Sequence, residues 1–372
     1  MSIKKSLEEH RAPGPLPKRI LALDGGGVKG ALTLGYLKKI ESIIRDRYGK
    51  DALLCDYFDL IGGTSTGAII AGGLVIGKSV DEILKIYRNL SLSIFPPKSV
   101  LSKKLSLIFR KRMYDHVPLE NSLREHFKDY KMFGPELKTG FCAVTKRLDS
   151  NSIWPLFNHP GGKYAEVNNF YMRDVLRATS AAPSYFKPHA LEVKPGEMAA
   201  FVDGGLSISN NPALQLFLLT TLKGFPYRWP IGKENLSIIS IGTGSATMAR
   251  PFHEVMEFGA FRWATSIPDY FMDDAKSWTQ VMMQYLSNSP TAKVIDREIG
   301  DLSQDLLIEA FDYQRFNIDF KKESLDTLGL KIDFTPSLIE SLREMSNAKN
   351  VDLLYEIGKK AAEQEVKPEF IV

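Results

Sequence analysis

Two periods of apolar residues alternate from the start of the chain. Residues 19–23, Arg-Ile-Leu-Ala-Leu, are a short apolar run stopped by Asp24 and three glycines. A run that short, closed by a turn signal, predicts a buried strand entering a tight loop. From Ala31 to Tyr48 the spacing changes, with Leu34, Leu37, Ile40, Ile44 and Tyr48 recurring three or four apart, the period of a helix. Residues 57–61 predict a second strand, Gly62 to Gly67 a loop, and the small residues from about Thr66 to Ile76 a helix, with another from about Val80 to Leu90. Strand, loop, helix, repeated, is the order of a largely parallel sheet covered on both faces.

Farther on, 91–135 reads as irregular, broken by Pro96, Pro97 and Pro118. Strands are expected at 140–146, 152–157 and 236–241, and a helix at 172–181, ended by Pro183. The run Ala199–Val202 leads into Asp203-Gly204-Gly205, and a helix follows from about Pro212. Past 250 the pattern is mostly helical, with strand candidates near 292–297 and 313–319 and closing helices near 336–347 and 350–364. There are no internal repeats and no long linker. The expected plan is therefore α/β, with a flexible arm at 1–17, a catalytic core at 18–245, and a mostly helical part at 246–372 packed on that core.

Composition narrows the class. With 372 residues, 44% apolar and 25% charged, the chain can bury a sizeable core. A net charge of +4 without a dense basic face argues against a nucleic-acid polymer as partner. Cys55 and Cys142 have neither metal-ligand nor disulfide-framework spacing. The first eighteen residues lack the apolar stretch of a secretory signal, and no apolar run is long enough to span a bilayer. The expectation is a cytoplasmic protein whose contact with membrane is peripheral. One segment suits such contact: 98–112 carries Lys98, Lys103, Lys104, Arg110, Lys111 and Arg112 among apolar residues and no acid. A solvated connection is the plainer alternative. The Met- and aromatic-rich stretch after 250 reads as core packing or a homo-oligomer face, with an acyl channel or lid as the second reading.

Three short motifs carry chemistry. Gly63-Thr64-Ser65-Thr66-Gly67 sits between a predicted strand and a predicted helix. In that context the flanking glycines permit a sharp turn that projects the Ser65 hydroxyl, and the Thr66 amide lies at a helix start that favours negative charge. Asp24-Gly25-Gly26-Gly27-Val28-Lys29-Gly30 places free amides where an anion can sit. Gly25, Gly27 and Gly30 also satisfy a dinucleotide-binding spacing, but the acidic residue that reading requires at the end of the next strand is missing. The other reading is an oxyanion hole facing Ser65, with Lys29 steadying the loop, attracting a phosphate, or standing solvated on the surface. A nucleophilic serine needs a base. Of the six histidines only His253 comes late enough for the usual hydrolase order, and it reads as structural, as does His189. Asp203, at the end of an apolar run and before Gly204, is the better candidate, because partial desolvation near Ser65 would raise its basicity.

Together these motifs resemble the patatin-like phospholipases, whose pattern is D-G-G-G-x-[RK]-G, then G-x-S-x-G, then D-G-[GA]. The chain matches at Asp24–Gly30, Gly63–Gly67 and Asp203–Gly205, and the stretch Ala178–Phe186 is similar to the family's small-residue segment ahead of the aspartate. The resemblance covers about residues 18–245. It implies a three-layer α/β/α sandwich with a mainly parallel sheet, a Ser65–Asp203 dyad, and an oxyanion loop of Gly25, Gly26 and Gly27 with Thr66. Gly63, Gly67, Gly204 and Lys29 would support this site. It further implies hydrolysis of phospholipid or lysophospholipid acyl esters with no metal or cofactor. Length and plan are also similar to bacterial members that cyclic dinucleotides switch on in anti-phage defence. That leaves a ligand-gated effector, and a non-catalytic lipid-binding protein, as alternatives to a constitutive lipase.

Overall fold

The structure is a computed structural model that describes residues 3–96, 113–165, 167, 169–245 and 250–371. The basic run at 98–112 lies outside the described residues. The elements, in chain order, begin with α1 (Leu7–Arg11), β1 (Lys18–Leu23), α2 (Gly30–Tyr48), α3 (Leu54–Tyr57), β2 (Leu60–Thr64), α4 (Thr66–Val75) and α5 (Val80–Ile94). Then come α6 (Val117–Phe127), β3 (Gly140–Arg147), β4 (Ser152–Phe157), α7 (Met172–Thr179), β5 (His189–Lys194), β6 (Glu197–Asp203), α8 (Ala213–Thr221) and β7 (Leu236–Ile241). The chain closes with α9 (Phe252–Met256), α10 (Ala260–Tyr285), β8 (Asp312–Phe316), α11 (Lys322–Asp326), α12 (Pro336–Arg343) and α13 (Val351–Glu365).

One eight-stranded sheet runs β5-β6-β3-β2-β1-β7-β8, with β4 beside β3. The pairs among β1, β2, β3, β7 and β8 are parallel, and those made by β4, β5 and β6 are antiparallel. Side chains of the central strands alternate between two cores. Leu21, Leu23, Ile61, Phe141 and Ile239 enter one core, with residues of α2, α4, α5 and α13. Ile20, Ala22, Leu60, Cys142 and Ile238 enter the other, with Leu216 of α8 and Met283 of α10. Strands apolar on both faces must be covered on both, and the result is a three-layer α/β/α arrangement.

The register contains the detail that matters for function. β4 pairs with β3 along Cys142–Arg147, which fills one edge of β3. β2 and β6 must therefore share the other edge. β2 pairs with it as far as Thr64 opposite Val144, and β6 takes over at Asp203 opposite Thr145. One strand is parallel to β3 and the other antiparallel, so their carboxyl ends meet head-on. Residues 65 and 203 are thereby brought together.

The structure departs from the sequence expectations in several places. β2 begins at Leu60, because Leu54–Tyr57 closes a helical turn held by the Asp56 carboxylate on the Leu53 amide. The stretch read as irregular contains α6, with Pro118 in its first turn, where a proline is tolerated. The β5–β6 hairpin is an addition to the expected strands. The strand candidate at 292–297 is not one, and only an isolated bridge joins Asp296 to Gly300. Within the stretch read as a flexible arm, Lys5 and His10 both reach the buried Asp59 carboxylate, and the Trp229 indole donates to the Arg11 carbonyl. The region after 245 is more than a cover, since β8 extends the sheet beside β7. Among the described residues no helix is long and apolar enough to cross a membrane.

Candidate active site

Ser65 occupies the turn between β2 and α4 at φ 54°, ψ −123°. A non-glycine residue in that region is strained and persists only where its surroundings enforce it. Here they do. The Ser65 amide donates to the Thr179 hydroxyl at 3.0 Å, and that hydroxyl donates to the Val144 carbonyl at 2.6 Å. Gly67 sits so close under β1 that a Cβ there would stand 2.2 Å from the Leu23 carbonyl oxygen. Gly63 and Gly204 are equally constrained, by the Gly67 backbone and the Val144 carbonyl. Ser65 itself is only half-buried among buried neighbours and lines a cavity.

Asp203 ends β6 and is buried. Its amide donates to the Ala181 carbonyl at 3.1 Å, which fixes the backbone. Its carboxylate accepts from the Gly205 amide at 2.8 Å and interacts with the Ser65 hydroxyl. Burial pushes the carboxyl up to about 6, against the lowering effect of the bonds from Ser65 and Gly205.

The glycine loop lies across from this pair. The Gly25 amide is given to the Asn210 carbonyl at 3.0 Å. The Val28 amide is likewise given to the Met345 carbonyl at 2.8 Å. The amides of Gly26 and Gly27 find no acceptor among the described residues, nor does that of Thr66 at the start of α4. Gly26, Gly27, Ser65, Thr66 and Asp203 all line one cavity of about 560 Å³. Free donors around a hydroxyl and a carboxylate are the parts needed to hold an oxyanion.

Residues that sequence reasoning missed hold this loop in place. Arg315 of β8 grips Asp24 with two bonds, 2.8 and 2.6 Å, and its guanidinium also donates to Ser240 at 2.7 Å. The Thr243 hydroxyl donates to the Gly25 carbonyl at 2.9 Å. Tyr87 donates to the Gly27 carbonyl and pairs with the Thr66 hydroxyl at 2.8 Å, joining the loop to the helix after Ser65. Lys29 is buried and does not line the cavity. Its ammonium is pushed down to about 7, first by burial, then by Lys276, with Asp24 opposing. None of the six histidines, all of them among the described residues, lines the cavity. His253 is exposed on α9, and His189, at the start of β5, faces Asp174 of α7 at 3.9 Å. Away from the polar cluster the walls are apolar, built from Ile69, Leu90, Ile94, Phe95, Leu119 and Phe186.

Residues 21–217 match the family described as patatin-like phospholipase. A "cGAMP-activated phospholipase" of Vibrio cholerae is 32% identical over 235 residues, 60% of this chain and 64% of that protein. "Patatin-like protein 2" of rice (Oryza sativa) is 31% identical over 270 residues, 66% of this chain and 65% of that protein. The chain thus spans somewhat less than two-thirds of the length of either relative. Among solved structures, human GIVD cytosolic phospholipase A2 in complex with methyl gamma-linolenyl fluorophosphonate aligns with 99% of this chain and 60% of its own, at 12% identity and a TM-score of 0.40.

Proposed function

The chain belongs to the patatin-like phospholipase family, and from that premise we propose that it cleaves the acyl ester of a glycerophospholipid or lysophospholipid by a Ser65–Asp203 dyad. The acyl chain lies along the apolar wall of the cavity and its carbonyl between Ser65 and the glycine loop. Asp203 takes the hydroxyl proton as the Ser65 oxygen adds to the carbonyl carbon. The oxyanion is held by the Gly26 and Gly27 amides, with the Thr66 amide at the helix start. The carbonyl re-forms, the ester C–O bond breaks, and the proton on Asp203 passes to the leaving alcohol. A water, deprotonated by the same carboxylate, then cleaves the acyl-enzyme, and Ser65 recovers its proton.

The observation that carries this reading is the convergence of Ser65, a buried Asp203 and the free amides on one apolar-walled cavity. An aspartate at its ordinary value near 3.9 is a weak base, and burial that moves it to about 6 brings it closer to a serine's needs. The test is hydrolysis of a long-chain lysophospholipid and of a soluble p-nitrophenyl ester. Ser65→Ala and Asp203→Asn should each reduce turnover by at least about 10³-fold while the fold survives, and a serine-directed phosphonate should label Ser65. Full activity in either variant, or label on another residue, refutes the assignment. A properly folded protein that turns over no ester under any condition is a lipid-binding protein instead.

A second reading concerns regulation. Relatives in Vibrio cholerae and Escherichia coli, at 32% and 31% identity, are named for activation by cGAMP, which supports a cyclic dinucleotide as activator and a role in antiviral defence. Turnover that rises only when the cyclic dinucleotide is added supports the gate, and equal turnover without it removes it.

A further inference from the structure

α10 is apolar on two sides. Its inner side carries Met283 into the core under the sheet, and the Thr279 hydroxyl donates to the Ile208 carbonyl at 3.2 Å. Met272 lines the cavity beside Leu206. The outer side should then be polar, but Trp263, Ile267, Phe271 and Trp278 stand exposed there, Phe271 by 72% and Trp278 by 58%. At 3.6 residues per turn these four fall within about 80° of one another, a stripe some 22 Å long. Phe252 and Met256 of α9, just before it in the chain, are also exposed, by 81% and 67%. Single apolar residues on a surface need no explanation, but a row of aromatic ones does.

We infer that this stripe seats the protein on a lipid bilayer, so that an ester can pass from the membrane into the cavity past Met272 and Leu206. The inference rests on the lipid-hydrolase reading above. Three features favour a bilayer over a second copy of the chain. The same helix contributes Met272, next to Phe271 in the chain, to the cavity lining, so the stripe and the site share one element. Tryptophan stands at both ends of the stripe and suits the boundary between headgroups and acyl chains. Leu206, which lines the cavity, and Ile208, whose carbonyl accepts from Thr279 of the same helix, are themselves exposed by 51% and 50%. Asp274 is exposed on the same face, so contact is apolar in origin and needs no anionic lipid.

The experiment uses the full chain carrying Ser65→Ala, which leaves the vesicles intact, with phosphatidylcholine vesicles as the probe. Binding is read by co-sedimentation and by the blue shift of tryptophan emission. The expected result is binding that persists in about 1 M salt, where charge attraction is screened within about 3 Å, and that falls by on the order of 100-fold on adding Trp263→Ala with Phe271→Asp. In the Ser65-containing protein that double change should leave turnover of a soluble p-nitrophenyl ester intact while long-chain substrate in vesicles is lost. Undiminished binding, or binding abolished by salt, overturns the inference. So does a native dimer that the double change converts to monomer, since the stripe would then cover a second copy. If soluble-ester turnover survives in Ser65→Ala itself, the hydrolase reading has failed, a result independent of the vesicle measurement.

Discussion

Replacing Asp203 by asparagine should make the protein more stable as it makes it inactive, and the gain should depend on pH in one direction. The Asp203 carboxyl titrates near 6 in the folded protein because burial opposes its charge, and near 3.9 once unfolded. Between those values the folded state binds the proton and the unfolded state does not, so stability attributable to this group falls as pH rises. Two units of displacement correspond to about 3 kcal/mol, reached above pH 7; at pH 5 the penalty is about half of that, and below the unfolded value it vanishes. The substituted amide carries no charge, and its oxygen can still accept from the Gly205 N–H. Urea unfolding of native and Asp203→Asn protein at pH 5 and pH 8 measures the difference, which should widen by about 1–2 kcal/mol toward the higher pH. In the native protein kcat/KM for a soluble ester should rise tenfold per pH unit below about 6 and level off above it. An asparagine variant whose advantage is absent or unchanged with pH, together with a rate flat through pH 6, would refute the claim that burial tunes this carboxylate.

Other perturbations address the rest of the site. Gly26→Ala puts a Cβ 2.4 Å from the Thr243 hydroxyl, and Gly27→Ala places a methyl at φ +57° and 2.3 Å from the Met345 carbonyl. Each should lower kcat by about 10²–10³-fold, measured with soluble ester. Arg315→Ala leaves Asp24 buried without its partner and should cost about 3–5 kcal/mol in denaturant unfolding. Asp24→Asn in the same chain should recover part of that loss. Ile94→Trp narrows the apolar wall away from Ser65 and should depress long-chain turnover while sparing short-chain esters, read as a shift in chain-length preference.

Local chemistry made much of the site legible. A glycine run after a short apolar strand, and a serine flanked by glycines before a helix, say what the backbone does within a few residues. Asp203 was readable for the same reason, since it ends an apolar run and precedes two glycines. Long-range contacts were not legible. Arg315 meets Asp24 across 291 positions, and nothing within β8 distinguishes an arginine that grips a loop from one that faces water. Which amides of the glycine run stay free was hidden for the same reason. Three glycines in a row look equivalent until Asn210, 185 positions away, takes up the first.

The sheet explains why motifs so far apart still compose one site. β3 offers a single free edge, and two strands of opposite direction divide it at Val144 and Thr145. Any residue just past the first strand must face the last residue of the second, whatever the length of chain between them. The position of Ser65 against Asp203 is therefore set by backbone pairing and not by a flexible loop, which is the rigidity the proposed dyad requires. The glycine loop, the proposed oxyanion hole, lacks such a guarantee, because β1 ends one strand away. Its placement falls to side chains, with Arg315 on Asp24, Thr243 on the Gly25 carbonyl and Tyr87 on the Gly27 carbonyl. Substitutions at these supports should thus lower the rate through the oxyanion amides and leave the Ser65–Asp203 contact in place. Arg315→Lys, which keeps the charge but loses the two-pronged grip, should retain phosphonate labelling of Ser65 at a reduced rate, with the pH midpoint of that labelling still near 6. A midpoint that moved with the loop would mean that Asp203 takes its basicity from the glycine loop rather than from burial.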